Sequence, residues 1–152
     1  MPELSIVVPV YYNELNLPDL VAAFARATEG LDVEYVFVDD GSGDGSWPWL
    51  ERFVAAEPRA TAIRLSRNFG SFTACTAGLA HARGRAAVII SADLQDPPEL
   101  IPAMVREWRN GHEVVLAVRN RREEPWHQRL MRCRSVGPPR RTDIGHSPWP
   151  PL

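Results

Sequence analysis

Ala86-Ala87-Val88-Ile89-Ile90-Ser91-Ala92-Asp93-Leu94-Gln95-Asp96-Pro97-Pro98-Glu99 decides the architecture of this chain. An apolar run of strand length ends in a polar turn that carries a carboxylate, and two prolines then open a helix. In open α/β sheets ligands bind beyond the carboxyl ends of the strands, so Asp93 stands where a metal or phosphate ligand is placed. A second turn of this kind, Val36-Phe37-Val38-Asp39-Asp40-Gly41-Ser42, lies upstream. Outward from these two, apolar runs at 4–10, 61–65 and 113–118 read as further strands. They alternate with helical spacing over 17–29, 47–56, 71–83 and 97–110. This alternation predicts an α/β fold with a mostly parallel sheet and crossover helices on both faces.

Each helix has a recognisable inner face. Leu17, Leu20, Val21, Phe24 and Ala25 form the stripe of the first, and Leu50, Phe53 and Val54 that of the second. The third is built of small residues (Ala74, Ala77, Gly78) suited to close packing, and Gly84 follows its end. In the fourth, Asp96 is placed to cap, Pro97 to take the first helical position and Glu99 to complete a capping box. Leu100, Ile101, Met104, Val105 and Trp108 follow as its buried stripe. Helix-start chemistry thus accounts for Asp96 and Glu99. It does not account for Asp93 and Gln95, which precede the cap.

Bulk properties narrow the class. A chain of 152 residues fits one domain with a real core. Its 45% hydrophobic and 24% charged residues are ordinary for a soluble protein. A net charge of -2 makes no electrostatic case for nucleic acid. No apolar segment approaches the roughly 20 residues that span a bilayer. Met1-Pro2-Glu3-Leu4 lacks the basic start of a secretory signal. Cys75 and Cys133 show no metal spacing, so a cytoplasmic setting is expected, with Cys75 a small core residue. Periodicity fails near Pro125, and residues 123–152 are expected to form an irregular, disordered tail after a domain at 1–122.

The glycine-rich turn admits two function classes. Asp40-Gly41-Ser42-Gly43-Asp44-Gly45-Ser46, with Glu51 beyond it, matches a calcium-loop template. That template needs a helix before it, whereas Tyr35-Val36-Phe37-Val38 is strand-forming, and Pro48 falls inside the loop. A nucleotide site fits better: a strand-end carboxylate accepts hydrogen bonds from a base N–H or a ribose hydroxyl, and glycines let the ligand approach the backbone. Turn chemistry explains Asp44 and Ser46 but does not require two adjacent acids at Asp39 and Asp40. Neither GxGxxG nor GxxxxGK[ST] occurs, which disfavours a dinucleotide-binding dehydrogenase and a P-loop NTPase.

Five segments together resemble the N-terminal half of a family 2 glycosyltransferase. They are Val7-Val8-Pro9-Val10-Tyr11-Tyr12-Asn13-Glu14, Val38-Asp39-Asp40-Gly41-Ser42-Gly43-Asp44-Gly45-Ser46, Leu65-Ser66-Arg67-Asn68-Phe69-Gly70, Thr76-Ala77-Gly78-Leu79 with Ala82-Arg83-Gly84, and Ala92-Asp93-Leu94-Gln95-Asp96-Pro97-Pro98-Glu99. The resemblance is nearest to dolichyl-phosphate mannose synthases and bacterial polyprenyl-phosphate glycosyltransferases, and it runs from Leu4 to Arg122. It implies a truncated nucleotide-diphospho-sugar transferase (A-type glycosyltransferase) fold. The implied activity is sugar transfer from a UDP- or GDP-linked donor to a polyprenyl or dolichyl phosphate at the cytoplasmic membrane face.

By the resemblance, Pro9, Tyr11 and Glu14 line the base pocket, although the family reads Pro-x-Tyr-Asn-Glu where Tyr12 intervenes here. Asp39 or Asp40 holds the base or ribose, and Arg67 lies on a loop that approaches the nucleotide. Asp93 and Gln95 match the end of an Asp-x-Asp-x-Gln element that binds Mg²⁺ or Mn²⁺ and the diphosphate. Ser91 replaces its first acid, which weakens the expected metal site, since hard cations prefer charged oxygens. Arg119, Arg121 and Arg122 are candidates to meet a lipid phosphate or the diphosphate. The family's acceptor site and further catalytic residues lie beyond the resemblance, so the catalytic residues are unassigned. A nucleotide-sugar-binding remnant without turnover is the alternative, and a calcium-binding module a remote one.

Overall fold

Leu4–Val10 (β1) and Val33–Asp39 (β2) are buried along nearly their whole length. Both faces of these strands are covered, which explains their uninterrupted apolar sequences. The structure, a computed structural model, describes residues 1–117. Within them, β1 is followed by α1 (Leu17–Ala27), β2, α2 (Ser46–Ala56), β3 (Ala60–Arg64), α3 (Ser71–His81), β4 (Ala86–Ile89) and α4 (Ile101–Arg109). The strands form one parallel sheet in the order β3-β2-β1-β4. The register sets Val10 beside Asp39 and Asp39 beside Arg64, so these strands end at one level. The expected α/β layout with helices on both faces is the one observed.

Strand alternation sorts the side chains into two layers. Ile6, Val8, Val10, Tyr35, Phe37 and Val88 pack with Leu17, Leu20 and Phe24 of α1, Leu50 of α2, and Ile101 and Val105 of α4. The opposite face carries Val7 and Val38 under α3. A Cβ at Gly78 would collide with Val7 and stand 3.1 Å from Val38, so glycine is what lets α3 lie this close to the sheet. Trp47 and Trp49 pack at the margin of the first layer, where Trp49 stacks on Phe53 with ring centroids 5.2 Å apart.

Three local expectations are corrected. The fourth helix begins later than its apparent start signal: Pro98–Leu100 forms a short 3-10 turn, α4 starts at Ile101, and no side chain caps either. Pro98 drives the residue before it out of the helical region, and Pro97 accordingly is extended, at φ -69° and ψ 119°. Leu100 therefore falls off the buried stripe and is 41% exposed. At 113–118 no strand forms among the described residues, and Val114 and Leu116 are exposed. The apolar alternation there finds no ladder along β4. Residues 123–152 and the arginines Arg119, Arg121 and Arg122 lie outside the described residues.

Candidate functional site

From β1 the chain moves across β2 to β3, then crosses back to place β4 on the other side of β1. The crevice beyond the carboxyl ends of β1 and β4 is thus the topological switch point, where open α/β sheets bind ligands. A cleft of about 220 Å³ lies there. It is lined by Pro9, Val10, Tyr11 and Asn13 from the end of β1, Asp40 from the end of β2, Asn68, Gly70, Ser71 and Ala74 around the start of α3, and Ser91 beyond β4. A second hollow, of about 160 Å³, lies between β4 and α4 against Leu4, Val88, Met104, Val105 and Trp108. Arg85 and Glu113 also line it, and it lies near the amino ends of β1 and β4, away from the acidic turns.

The loop after β1 is stapled to the turn after β2. The Tyr12 N–H donates to Ser42 Oγ at 3.0 Å, the Asn13 N–H to Ser46 Oγ at 3.1 Å, and the Glu14 N–H to Asp44 Oδ2 at 3.3 Å. In return, the Gly45 N–H donates to Glu14 Oε2 at 2.8 Å. Tyr12 takes a positive φ of 54°, which turns the chain so that Tyr11 faces the cleft and Tyr12 lies over Gly43. Burial pushes the Asp44 carboxyl up, but hydrogen bonds from Ser46 and Glu14 outweigh it and hold the group below the usual carboxylate value. A Cβ at Gly45 would meet the Glu14 carboxylate, the movable end of that side chain, and push it from its bond to the Gly45 N–H.

The adjacent acids at the tip of β2 have different surroundings. Asp39, fully buried, accepts the Ser42 N–H on Oδ1 at 3.2 Å. Its Oδ2 lies 3.5 Å from Arg64 Nε, outside hydrogen-bonding geometry, and has no other partner. Arg64 is itself held with its guanidinium carbon 5.4 Å from the Trp47 ring centre. Asp40 turns to α3: Oδ1 accepts the Phe69 N–H at 2.8 Å and Oδ2 the Gly70 N–H at 2.9 Å. Beside it Gly41, at φ 71°, lies so close to the Arg67 backbone that a Cβ would come within 2.6 Å. Arg67 is exposed, with its guanidinium 4.6 Å from the Phe69 ring centre.

Beyond β4, Asp93 Oδ1 accepts the Gln95 N–H at 3.0 Å across Leu94, whose φ is 59°. Asp93 and Gln95 are exposed on this loop, next to the cleft's Ser91. No group of three His, Cys, Asp or Glu side chains poised for a metal ion occurs among the described residues. The calcium-template segment follows a strand, and its Asp40 and Asp44 are engaged by backbone N–H groups.

Of the residues singled out in the sequence, the cleft brings together Pro9, Tyr11 and Asp40. Glu14, Asp39, Arg67, Asp93 and Gln95 are not among its lining residues. Asn13, Asn68 and Ser71 line it without having been singled out. The available signal was position: Asn13 and Asn68 sit in loops just after strand ends, within two of the quoted segments.

The family model described as Glycosyl transferase family 2 matches residues 5–147. This chain belongs to that family. The match continues past Arg122, where the resemblance read from the sequence ends. An uncharacterized glycosyltransferase of Bacillus subtilis (strain 168), YkcC, is 46% identical over 126 residues, covering 80% of this chain and 38% of YkcC. The chain thus spans about two fifths of the length of that family 2 relative. Among solved structures, S. aureus TarS 1-349 in complex with UDP-GlcNAc superposes with a TM-score of 0.55 at 22% identity, covering 75% of this chain and 37% of TarS. The mannosyltransferase PcManGT of Pyrobaculum calidifontis, in complex with GDP-Man and Mn²⁺, gives a TM-score of 0.55 at 23% identity, covering 63% of this chain and 33% of PcManGT. The sheet is thus that of the A-type glycosyltransferase fold. No helix among the described residues is long and apolar enough to cross a membrane.

Proposed function

We propose that this family 2 chain binds a UDP- or GDP-linked sugar at the switch-point cleft and transfers the sugar to a polyprenyl phosphate. One observation carries the reading: the cleft at the carboxyl ends of β1, β2 and β4 is walled by Tyr11, Asn13, Asp40, Asn68, Ser71 and Ser91. These side chains offer a ring face and several hydrogen-bonding groups, which suits a nucleoside. At about 220 Å³ the cleft takes a base and ribose rather than the whole donor. Drug-sized sites run to about 300–1,000 Å³. The diphosphate and sugar then extend past Ser91 towards Asp93 and Gln95.

In this reading Pro9 and Tyr11 pack on the base. Asp39 Oδ2, which faces Arg64 without a hydrogen bond, is the candidate acceptor for a base N–H or a ribose hydroxyl, and Glu14 acts by holding the Tyr11 loop through Gly45. The donor set fits a Mg²⁺ or Mn²⁺ ion that arrives with the diphosphate: Asp93 supplies one exposed carboxylate, and such ions use one or two carboxylates plus substrate phosphates and water. Asp93 would hold such a cation where it could neutralise the charge that grows on the leaving diphosphate. A phosphate acceptor attacks the anomeric carbon as the bond to the diphosphate oxygen breaks, and its own negative oxygen lessens the need for a base. The acceptor class and an association with the membrane face follow from the motif resemblance.

Calorimetry of the full chain with UDP, GDP and CDP, with and without Mn²⁺, tests donor binding. Release of nucleoside diphosphate from UDP- and GDP-sugars in the presence of a polyprenyl phosphate tests transfer. Binding without release supports the nucleotide-sugar-binding remnant. No affinity for any nucleotide, with tight Ca²⁺ binding, overturns the proposal in favour of a calcium module.

A further inference from the structure

Two tyrosines follow β1, and only the first of them, Tyr11, lines the cleft. Tyr12 takes φ 54°, a left-handed conformation that is unfavourable for a side chain with a Cβ and persists only where the surroundings hold it. Three contacts do so. The Tyr12 N–H donates to Ser42 Oγ at 3.0 Å. Its hydroxyl lies over Gly43, where a Cβ would come within 2.6 Å of Oη. Its ring meets that of Tyr11 edge to face, with centroids 4.7 Å apart and planes at 86°, a favoured aromatic arrangement. Tyr11 is fixed at its backbone, where its N–H donates to Asn13 Oδ1 at 3.1 Å, but its side chain is half exposed and needs a brace to keep one orientation.

We infer that Tyr12 is a positioning residue for Tyr11: clamped between Ser42 and Gly43, it braces the Tyr11 ring at the cleft and so sets where a base can lie. This rests on the nucleotide-sugar reading only for the identity of the ligand. The clamp has one close point. At Gly43 the nearest obstacle to a methyl group is Tyr12 Oη, and the next atom, the ring carbon that bears it, is at 3.4 Å. Gly43→Ala should therefore displace the Tyr12 ring, and Tyr12→Phe, which removes only the hydroxyl oxygen, should let the ring return. Tyr12→Gly removes the brace while suiting the left-handed backbone, so the fold is retained.

The test uses the full chain as wild type, Y11A, Y12G, Y11A/Y12G, G43A and G43A/Y12F. In the ligand-free protein, nuclear Overhauser contacts between the Tyr11 and Tyr12 rings are expected in wild type, lost in G43A and restored in G43A/Y12F. By calorimetry, UDP affinity is expected to fall about two- to tenfold in Y12G and in G43A, the loss of one aromatic pair, and to recover in G43A/Y12F. Y11A should also weaken binding, and adding Y12G to it should cost nothing further. Unchanged affinity in Y12G, or a full additional loss in Y11A/Y12G, would show that Tyr12 does not act through Tyr11 and overturn the inference. A loss in G43A that Tyr12→Phe fails to reverse, or no ring-to-ring contact in wild type, overturns it as well. Absence of UDP binding in the wild type defeats the nucleotide reading instead. The ring contacts, lost in G43A and restored in G43A/Y12F, then decide the brace by themselves.

Discussion

Glu34→Ala should cost far more stability than Arg83→Ala, although the two residues form one ion pair. Glu34 is 3% exposed near the start of β2, beneath the turn from α3 to β4. Its Oε1 accepts the Ser5 hydroxyl at 2.7 Å and the Arg83 N–H at 2.5 Å, and its Oε2 lies 2.9 Å from Arg83 Nε and 2.9 Å from Nη2. Ser5 Oγ in turn accepts the Gly84 N–H at 2.8 Å. Removing the carboxylate strands two partly or fully buried donors, the Ser5 hydroxyl and the Arg83 amide, at about 1–3 kcal/mol each, so about 2–4 kcal/mol in all once water reaches the turn. The Arg83 side chain is 67% exposed, and its loss removes only a screened pair of about 0–1 kcal/mol. For a chain of this size those costs translate to a fall in Tm of about 10 °C against less than about 4 °C. Burial raises the Glu34 pKa, but the bonds from Ser5 and Arg83 overcome this and hold it below its ordinary value of 4.5. The stabilisation is therefore complete above pH 4.5 and lost as pH falls through the depressed folded-state value. Urea melts of both variants from neutral pH down to pH 3 read it out. An equal loss in Arg83→Ala, or a gap between wild type and Glu34→Ala that widens on acidification, refutes the reasoning.

Gly78→Ala should destabilise by about 1–3 kcal/mol in urea melts, because the new methyl meets Val7 and Val38; a loss below about 0.5 kcal/mol would show that α3 shifts freely. Asp39→Asn should destabilise by about 1–3 kcal/mol in urea melts, since it removes the buried charge facing Arg64 at 3.5 Å and turns an amide NH2 towards the guanidinium. The same variant should weaken UDP binding at least tenfold by calorimetry, and unchanged affinity would remove Asp39 from the donor site. Ser91→Asp should raise Mn²⁺ affinity in the presence of UDP on the order of tenfold, because a second carboxylate joins Asp93 at close range. Mn²⁺ titration by electron paramagnetic resonance gives that value without turnover, and an unchanged affinity would place the cation elsewhere.

β1 and β2 were legible because burial on both faces leaves an uninterrupted apolar signature, and β1 occurs over the expected residues. Helix starts were less so. Asp96, Pro97 and Glu99 have the composition of a capping box, but Pro98 acts on the residue before it, and that steric effect outweighed the pattern. At 113–118 alternation alone suggested a strand, and alternation carries no information about whether a neighbouring edge will pair. The acidic turns at the strand ends pointed to the end of the sheet where the candidate cleft lies. The division of labour within it was not, because Asp40 and Glu14 bind backbone N–H groups of Phe69, Gly70 and Gly45, and an amide partner about 30 residues away leaves no side-chain trace.

That division explains why the turn after β2 is so dense in small polar residues. Its first half reaches one way: Asp40 and Gly41 secure the segment that leads into α3. Its second half reaches the other way: Ser42, Asp44, Gly45 and Ser46 bind Tyr12, Asn13 and Glu14. The two segments it secures are opposite walls of one cleft, contributing Asn68, Gly70 and Ser71 on one side and Tyr11 and Asn13 on the other. A turn that spends its polar groups on holding two other loops has few left for a ligand. The contacts that discriminate among ligands then fall to the residues being held, and substitutions in the turn should alter affinity for every nucleotide alike. Changes at Asn13 or Asn68 should instead alter the preference among bases. This asymmetry follows from the connectivity of the hydrogen bonds, because both loops are held by the same seven-residue turn from Asp40 to Ser46.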